Sequence, residues 1–177
     1  MANTESTEST LVTLARRTLE AFLTERAYPR IEEELRQDPL FCSRAGVFVS
    51  LKQDGRLRGC IGTFMPEQDD LLWEVMVNAV RAATEDPRFY PVQAAELTGL
   101  TISVDVLSEP EPVEGPEQLD AKRYGAIMIA GRRRSLLLPD LEGVDTVEQQ
   151  LTILRQKGNI RETETVTLFR FTVSRYR

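Results

Sequence analysis

The sequence contains no histidine. That absence removes imidazole as a general base, every triad or dyad built on it, histidine metal sites and histidine proton shuttles. Cysteine is almost as scarce. The two present, Cys42 and Cys60, would need carboxylates to complete a zinc site, which is a poor constellation, so no metal is expected. A single pair in a chain with no secretion signal reads as free thiols rather than a disulfide framework. No apolar run approaches the roughly 20 residues of a membrane helix, and Met1-Ala2-Asn3-Thr4-Glu5 lacks the basic and apolar regions of a signal peptide. The expectation is a cytoplasmic protein away from membranes. A net charge of -6 argues against a broad nucleic-acid surface, because Lys and Arg facing phosphates supply most non-specific affinity. The local run Arg132-Arg133-Arg134 follows Gly131 and reads as a solvated hairpin turn.

What is present is ordinary for a globular protein: 177 residues, 41% hydrophobic and 28% charged. That is enough for one good core and too short for two large domains, so residues 1–177 are expected to form one domain, with a flexible polar segment at 1–8. Leu11, Leu14, Ala15, Leu19 and Phe22 recur at three- and four-residue steps, which predicts a core-covering helix over 9–24. A short helical piece at 31–36 ends at Asp38-Pro39. Residues 45–51 alternate like a strand, Asp54-Gly55 favours a tight reversal, and Arg56 to Ile61 return as its partner. A broadly apolar helix follows over 71–83, capped by Asp69 or Asp70, with Trp73 as a core anchor. It stops at Thr84-Glu85-Asp86-Pro87-Arg88-Phe89-Tyr90-Pro91, where two prolines fix the exit.

The clearest alternation is Leu100, Ile102, Val104 and Val106 against Thr101, Ser103 and Asp105, a strand with one dry face. An extended connector is expected over 109–115 and a second hairpin over 126–130 and 135–138. Thr146-x-x-Gln149 resembles a capping box opening a helix to about Lys157, with Gly158 placed to end it. A final strand over 163–173 puts Phe169, Phe171 and Val173 on one face. Hairpins with helices packed over them predict an α+β fold with antiparallel sheets.

Chemistry concentrates in Leu57-Arg58-Gly59-Cys60-Ile61-Gly62. Two glycines weaken a strand that only builds a sheet, so they suggest close backbone approach. In one reading Cys60 is a nucleophile or redox thiol activated by Arg58, which strand alternation puts on the same face. Backbone amides at Gly59 and Gly62 would then hold a phosphate, carboxylate or oxyanion, and Glu67, Asp69 or Asp86 would accept the proton. In the other reading Cys60 is a small buried hydrophobe and the glycines admit a neighbouring helix. Cys42 lacks such context and reads as structural. Arg88 either reaches an anion or locks its loop against Asp86 or Glu85.

The hexapeptide matches the signature of the AMMECR-domain family, designated AmmeMemoRadiSam system protein A in bacteria and archaea. The resemblance runs from about Gly46 through Gly46-Val47-Phe48-Val49, the hexapeptide, Asp86-Pro87-Arg88-Phe89, Ile102-Ser103-Val104 and Leu136-Leu137-Leu138-Pro139. It weakens after Pro139. There the family carries a Cys-x-Lys-Ala-Gly stretch, whereas this chain has Leu154-Arg155-Gln156-Lys157-Gly158, so any role of that second cysteine is absent.

The resemblance implies a larger α/β part formed by both chain ends and a smaller subdomain, not separable as independent domains, with the hexapeptide near a crevice between them. It implies a ligand-binding or catalytic site using Cys60 and Arg58, with Leu57, Gly59, Ile61, Gly62, Asp86 and Arg88 around the ligand. It also implies a Memo-like protein and a radical S-adenosylmethionine protein as partners. This chain has no Cys-x-x-x-Cys-x-x-Cys motif, so radical chemistry would belong to the partner and no cofactor is expected here. Three functions fit: thiol-dependent chemistry on a small anionic or redox substrate, a non-catalytic adaptor, and a nucleic-acid factor. The last needs Arg56 to Arg58 and Arg132 to Arg134 on one continuous face.

Overall fold

The computed structural model describes residues 9–177; the flexible segment expected at 1–8 lies outside them. The chain forms two compact units. The first is built from residues 9–106 with 175–177, and the second from Leu107–Ser174. Both ends of the described chain therefore belong to one unit and the intervening segment to the other.

In the first unit, α1 (Thr10–Glu25) starts where the Ser9 hydroxyl accepts the Val12 N–H, and it ends on Arg26 in the left-handed region, φ 58°. The short helices α2 (Glu33–Gln37) and α3 (Pro39–Cys42) follow. Pro39 does break the preceding helix, yet it also opens α3, because proline costs nothing at a first helical position. Strands β1 (Val47–Gln53) and β2 (Arg56–Thr63) form the expected hairpin. Asp54 (φ 50°) and Gly55 (φ 76°) supply the two positive φ values of a type I′ turn. Helix α4 (Leu71–Thr84) is capped by Asp70, and β3 (Leu100–Leu107) completes the run.

Val47, Val49 and Leu51 of β1 are fully buried beneath α1 and α4 together with Leu14, Leu19, Val75 and Ala79. Trp73 packs at the margin of this core, edge-on to Tyr28 with ring centroids 5.4 Å apart.

In the second unit, β4 (Glu111–Val113), β5 (Gly125–Ala130), β6 (Arg133–Leu137) and β7 (Thr167–Phe171) make an antiparallel sheet in the order β4-β7-β5-β6. Helix α5 (Val147–Gly158) packs on it through Leu154, with the capping box at Thr146 and Gln149. The connector expected to be merely extended thus holds a paired strand, because Glu111, Pro112 and Val113 find partners in β7. The helix end also differs from expectation. Gly158 is the last helical residue, and Asn159 takes the left-handed cap at φ 51°. A Cβ on Gly158 would lie 2.8 Å from the Ile160 side chain, which gives that glycine a packing role instead.

The single final strand expected over 163–173 is two strands. Thr172 breaks it, its N–H donating to the Ser108 hydroxyl while its carbonyl accepts the Ser108 N–H, both at 3.0 Å. Beyond the break β8 (Val173–Tyr176) joins the other sheet, whose order is β2-β1-β3-β8. Phe171 and Val173 therefore do not share a sheet face. Of the arginine triplet only Arg132 sits in the turn. Arg133 and Arg134 are strand residues, and Arg133 pairs with Glu164.

Candidate functional site

Leu57 to Gly62 lies in β2, one of the two edge strands of its sheet. Leu51 stands opposite Gly59 and Lys52 opposite Leu57, so Arg58 is the extra residue of a β-bulge. Strict alternation would put Arg58 and Cys60 on one face. A bulge re-aims the residue it inserts, and Arg58 turns to other partners.

Its guanidinium grips the Glu96 carboxylate through Nε at 2.8 Å and Nη2 at 3.0 Å, and Nη1 donates to the Tyr90 carbonyl at 2.9 Å. Glu96 is held below the usual carboxylate range, first by that guanidinium and then by the Gln93 N–H. The nearest partner of the Cys60 sulfur is the cross-strand Ser50 hydroxyl, which donates at 3.1 Å.

An edge strand leaves N–H and C=O groups without a neighbouring ladder. At Cys60 an ion pair fills that role. The Cys60 N–H donates to Asp86 Oδ2 at 2.9 Å, and Arg88 Nη2 donates to the Cys60 carbonyl at 3.4 Å. Arg88 and Asp86 close on each other through Nε at 2.9 Å and Nη2 at 2.7 Å, while the Arg88 N–H adds a bond at 3.1 Å.

The Asp86 side chain is 2% exposed and that of Arg88 55%. Arg88 and the two backbone N–H groups drive the Asp86 carboxyl far below its ordinary range. A carboxyl so held is a poor proton acceptor near neutral pH. Of the other candidate acceptors, Glu67 pairs with Arg81 at 2.8 Å and Asp69 is exposed. The amide at Cys60, between the two glycines whose amides are the candidate anion donors, already holds an anion of the protein's own.

Both glycines meet neighbours at close range. A Cβ on Gly59 would fall 2.1 Å from the Ala82 carbonyl oxygen of α4, and one on Gly62 would fall 2.3 Å from the Phe48 ring. Close approach by packed groups is what these positions require. Ile61 packs against the first core, and Leu57 is 39% exposed.

The Asp86–Tyr90 loop and β2 enclose an open depression of about 630 Å³ lined by Arg58, Pro87, Arg88, Phe89 and Tyr90. A second depression of about 500 Å³ adjoins it across Arg58 and is lined also by Arg56, Leu57, Asp54 and Gln53. Cys42 and Cys60 are both free thiols. Cys42, expected as a structural residue, is exposed, with its Sγ 3.5 Å from the Arg36 carbonyl. Among the described residues no His/Cys/Asp/Glu cluster fit for a metal is found, and no helix is long and apolar enough to cross a membrane.

Sequence reasoning overlooked a buried polar group beneath this strand. Glu74, 1% exposed, accepts from the Glu67 and Gln68 N–H groups at 2.8 Å each, from Asn78 Nδ2 at 3.1 Å and from the Thr63 hydroxyl. The available signal was a Glu and an Asn four residues apart on an otherwise apolar helix. Glu96 and Ser50 carried no such signal, since their roles depend on residues 38 and 10 positions away.

Comparison with known proteins places this arrangement. A Thermotoga maritima protein is 54% identical over 142 residues, covering 79% of this chain and 82% of its own. A Clostridium acetobutylicum protein is 46% identical over 171 residues, which are 94% of this chain but only 35% of that longer protein. The crystal structure of an uncharacterized Pyrococcus horikoshii protein superposes with a TM-score of 0.83 at 30% identity, over 93% of this chain and 88% of that one. These names state no activity. The AMMECR1 family model matches residues 12–176, and with near-complete coverage of that kind the chain belongs to the AMMECR1 family.

Proposed function

We propose that this AMMECR1-family protein binds a small anionic ligand on the surface formed by Leu57 to Gly62 and the Asp86–Tyr90 loop, with Cys60 as the thiol that contacts or reacts with it. One observation carries the reading: Arg58 and Arg88 line the same 630 Å³ depression, each oriented by a carboxylate, and the Arg88 side chain is more than half exposed while its partner is buried. Fixed guanidiniums suit carboxylate and phosphate oxygens. In this reading the chain is a component of an AmmeMemoRadiSam-type system, beside a Memo-like protein and a radical S-adenosylmethionine protein.

The test uses two alkylating reagents of similar size and different charge. Anionic iodoacetate and neutral iodoacetamide are applied to the folded protein, and the modification rates of Cys60 and exposed Cys42 are followed by peptide mass spectrometry. An anion-attracting surface raises the iodoacetate-to-iodoacetamide rate ratio at Cys60 above that at Cys42, and added salt removes the difference. Equal ratios at the two cysteines overturn the anion site. A Cys60 that resists both reagents until denaturation overturns the thiol role.

A second reading, a non-catalytic adaptor, is favoured by the openness of the depressions and by the Tyr90 side chain, which is 91% exposed. It predicts that partner binding survives Cys60→Ser.

A further inference from the structure

Tyr90 is the most exposed of the large hydrophobic residues described, far beyond Met65 at 52%. Exposed apolar residues scattered singly need no explanation. This one is held in place. Its carbonyl is fixed by Arg58 Nη1 at 2.9 Å, Pro91 restricts the backbone that follows, and the neighbouring loop is pinned to β2 through Asp86 and Arg88. On the other side of Arg58 stands Leu57, also exposed, and the two depressions meet at that arginine. A tyrosine on a backbone tied to Arg58 and a leucine of β2 thus flank one guanidinium. Aromatic residues beside arginine recur at the energetic centre of protein interfaces, because they bury a large apolar area next to a guanidinium that recognises carboxylates.

The charges define the partner. Four charged residues line the two depressions, and three of them, Arg56, Arg58 and Arg88, are arginines; the fourth is Asp54. Asp86 lies buried behind Arg88 and Glu96 is largely covered beside Arg58, so the charges turned outward are Arg56, Arg88 and Asp54, two positive against one negative. This positive edge belongs to a chain of net charge -6.

We infer that Leu57, Tyr90, Arg56 and Arg88 form a docking surface for an acidic peptide segment of a partner protein, one that seats an apolar side chain between Leu57 and Tyr90. The inference deepens the adaptor reading and is independent of any chemistry at Cys60.

The experiment pans a random dodecapeptide display library on the full chain and measures a labelled synthetic copy of the best binder by fluorescence anisotropy. The expected peptides carry several Asp or Glu residues around a Leu, Phe or Trp. Tyr90→Ser and Leu57→Ser weaken binding about tenfold or more. Arg56→Glu weakens it and flattens its salt dependence, while Cys60→Ser leaves it unchanged. All of these side chains except Cys60 are exposed, so the variants are expected to fold, and the melting temperature of each checks this. Selection of neutral or basic peptides, or affinity indifferent to Tyr90→Ser in a folded variant, overturns the inference. So does failure to enrich any peptide that binds below about 1 mM, or binding lost with Cys60→Ser. Failure of the iodoacetate test with peptide binding intact removes the anion site and leaves this surface standing.

Discussion

Replacing Asp86 is the sharpest perturbation of the strand edge. Its carboxylate accepts four hydrogen bonds, from the Cys60 N–H, the Arg88 N–H and two guanidinium nitrogens, at 2.7–3.1 Å. Asp86→Ala leaves the Cys60 N–H without its acceptor, a loss of about 1–3 kcal/mol. Arg88 is more than half exposed and rehydrates, so its half of the pair adds only about 0–1 kcal/mol. The sum is about 1–4 kcal/mol, or roughly 2–16 °C in melting temperature for a chain of this size. Trp73, the sole tryptophan, sits in the same unit and reports the transition by fluorescence.

The pH dependence separates charge from shape. Because the folded-state pKa of Asp86 lies well below its ordinary value of 3.8, its stabilisation is complete above that value and is lost as pH falls below it, when the unfolded chain takes up a proton the folded chain refuses. Asp86→Asn keeps the shape without the titration. The stability gap between the native protein and Asp86→Asn should therefore be constant from pH 7 to about pH 5 and shrink below pH 4, by up to about 1.4 kcal/mol per pH unit. A gap that does not change between pH 7 and pH 3, or an Asp86→Ala variant within about 0.5 kcal/mol of the native protein at pH 7, refutes the reasoning.

Other consequences are more local. Gly59→Ala should destabilise by about 1–3 kcal/mol or more in chemical denaturation, because its Cβ meets the Ala82 carbonyl oxygen, a backbone atom, at 2.1 Å; an unchanged denaturation midpoint would remove the packing account of that glycine. Glu74→Ala should lose at least about 2 kcal/mol, since it leaves the Glu67 and Gln68 N–H groups and Asn78 Nδ2 without their acceptor, and thermal melting decides it. Asn159→Ala should lose about 1 kcal/mol through its positive φ, whereas Asn159→Gly should not, so the pair of melting temperatures isolates backbone strain.

Much of this fold was legible because local rules and tertiary packing agree. The apolar steps of Leu11, Leu14 and Leu19 announce α1, and Asp54-Gly55 announces the hairpin through the φ values it accepts. The AMMECR resemblance was legible in the hexapeptide itself, and the family match over residues 12–176 agrees with it. The reasons behind that hexapeptide were not legible. Gly59 answers to a carbonyl in α4, Cys60 to a carboxylate 26 positions away, and Arg58 to Glu96 after a bulge that no residue pattern marks. The break at Thr172 was hidden for a similar reason, since Ser108 makes it and the surrounding residues all favour strand.

That meeting of Ser108 and Thr172 bears on the order in which the chain folds. Strand β8 must find β3 across about 65 intervening residues, and closing a flexible loop of that length costs roughly 4 kcal/mol of chain entropy. If Leu107–Ser174 folds first, its two ends are already hydrogen-bonded to each other, and β8 is delivered beside β3 at little further entropic cost. The second unit then acts as a buckle for the first sheet. Leu154→Ala, a change buried wholly in the second unit, should slow the refolding phase seen by Trp73 in the first; a refolding rate indifferent to it would show that the sheet closes without that help.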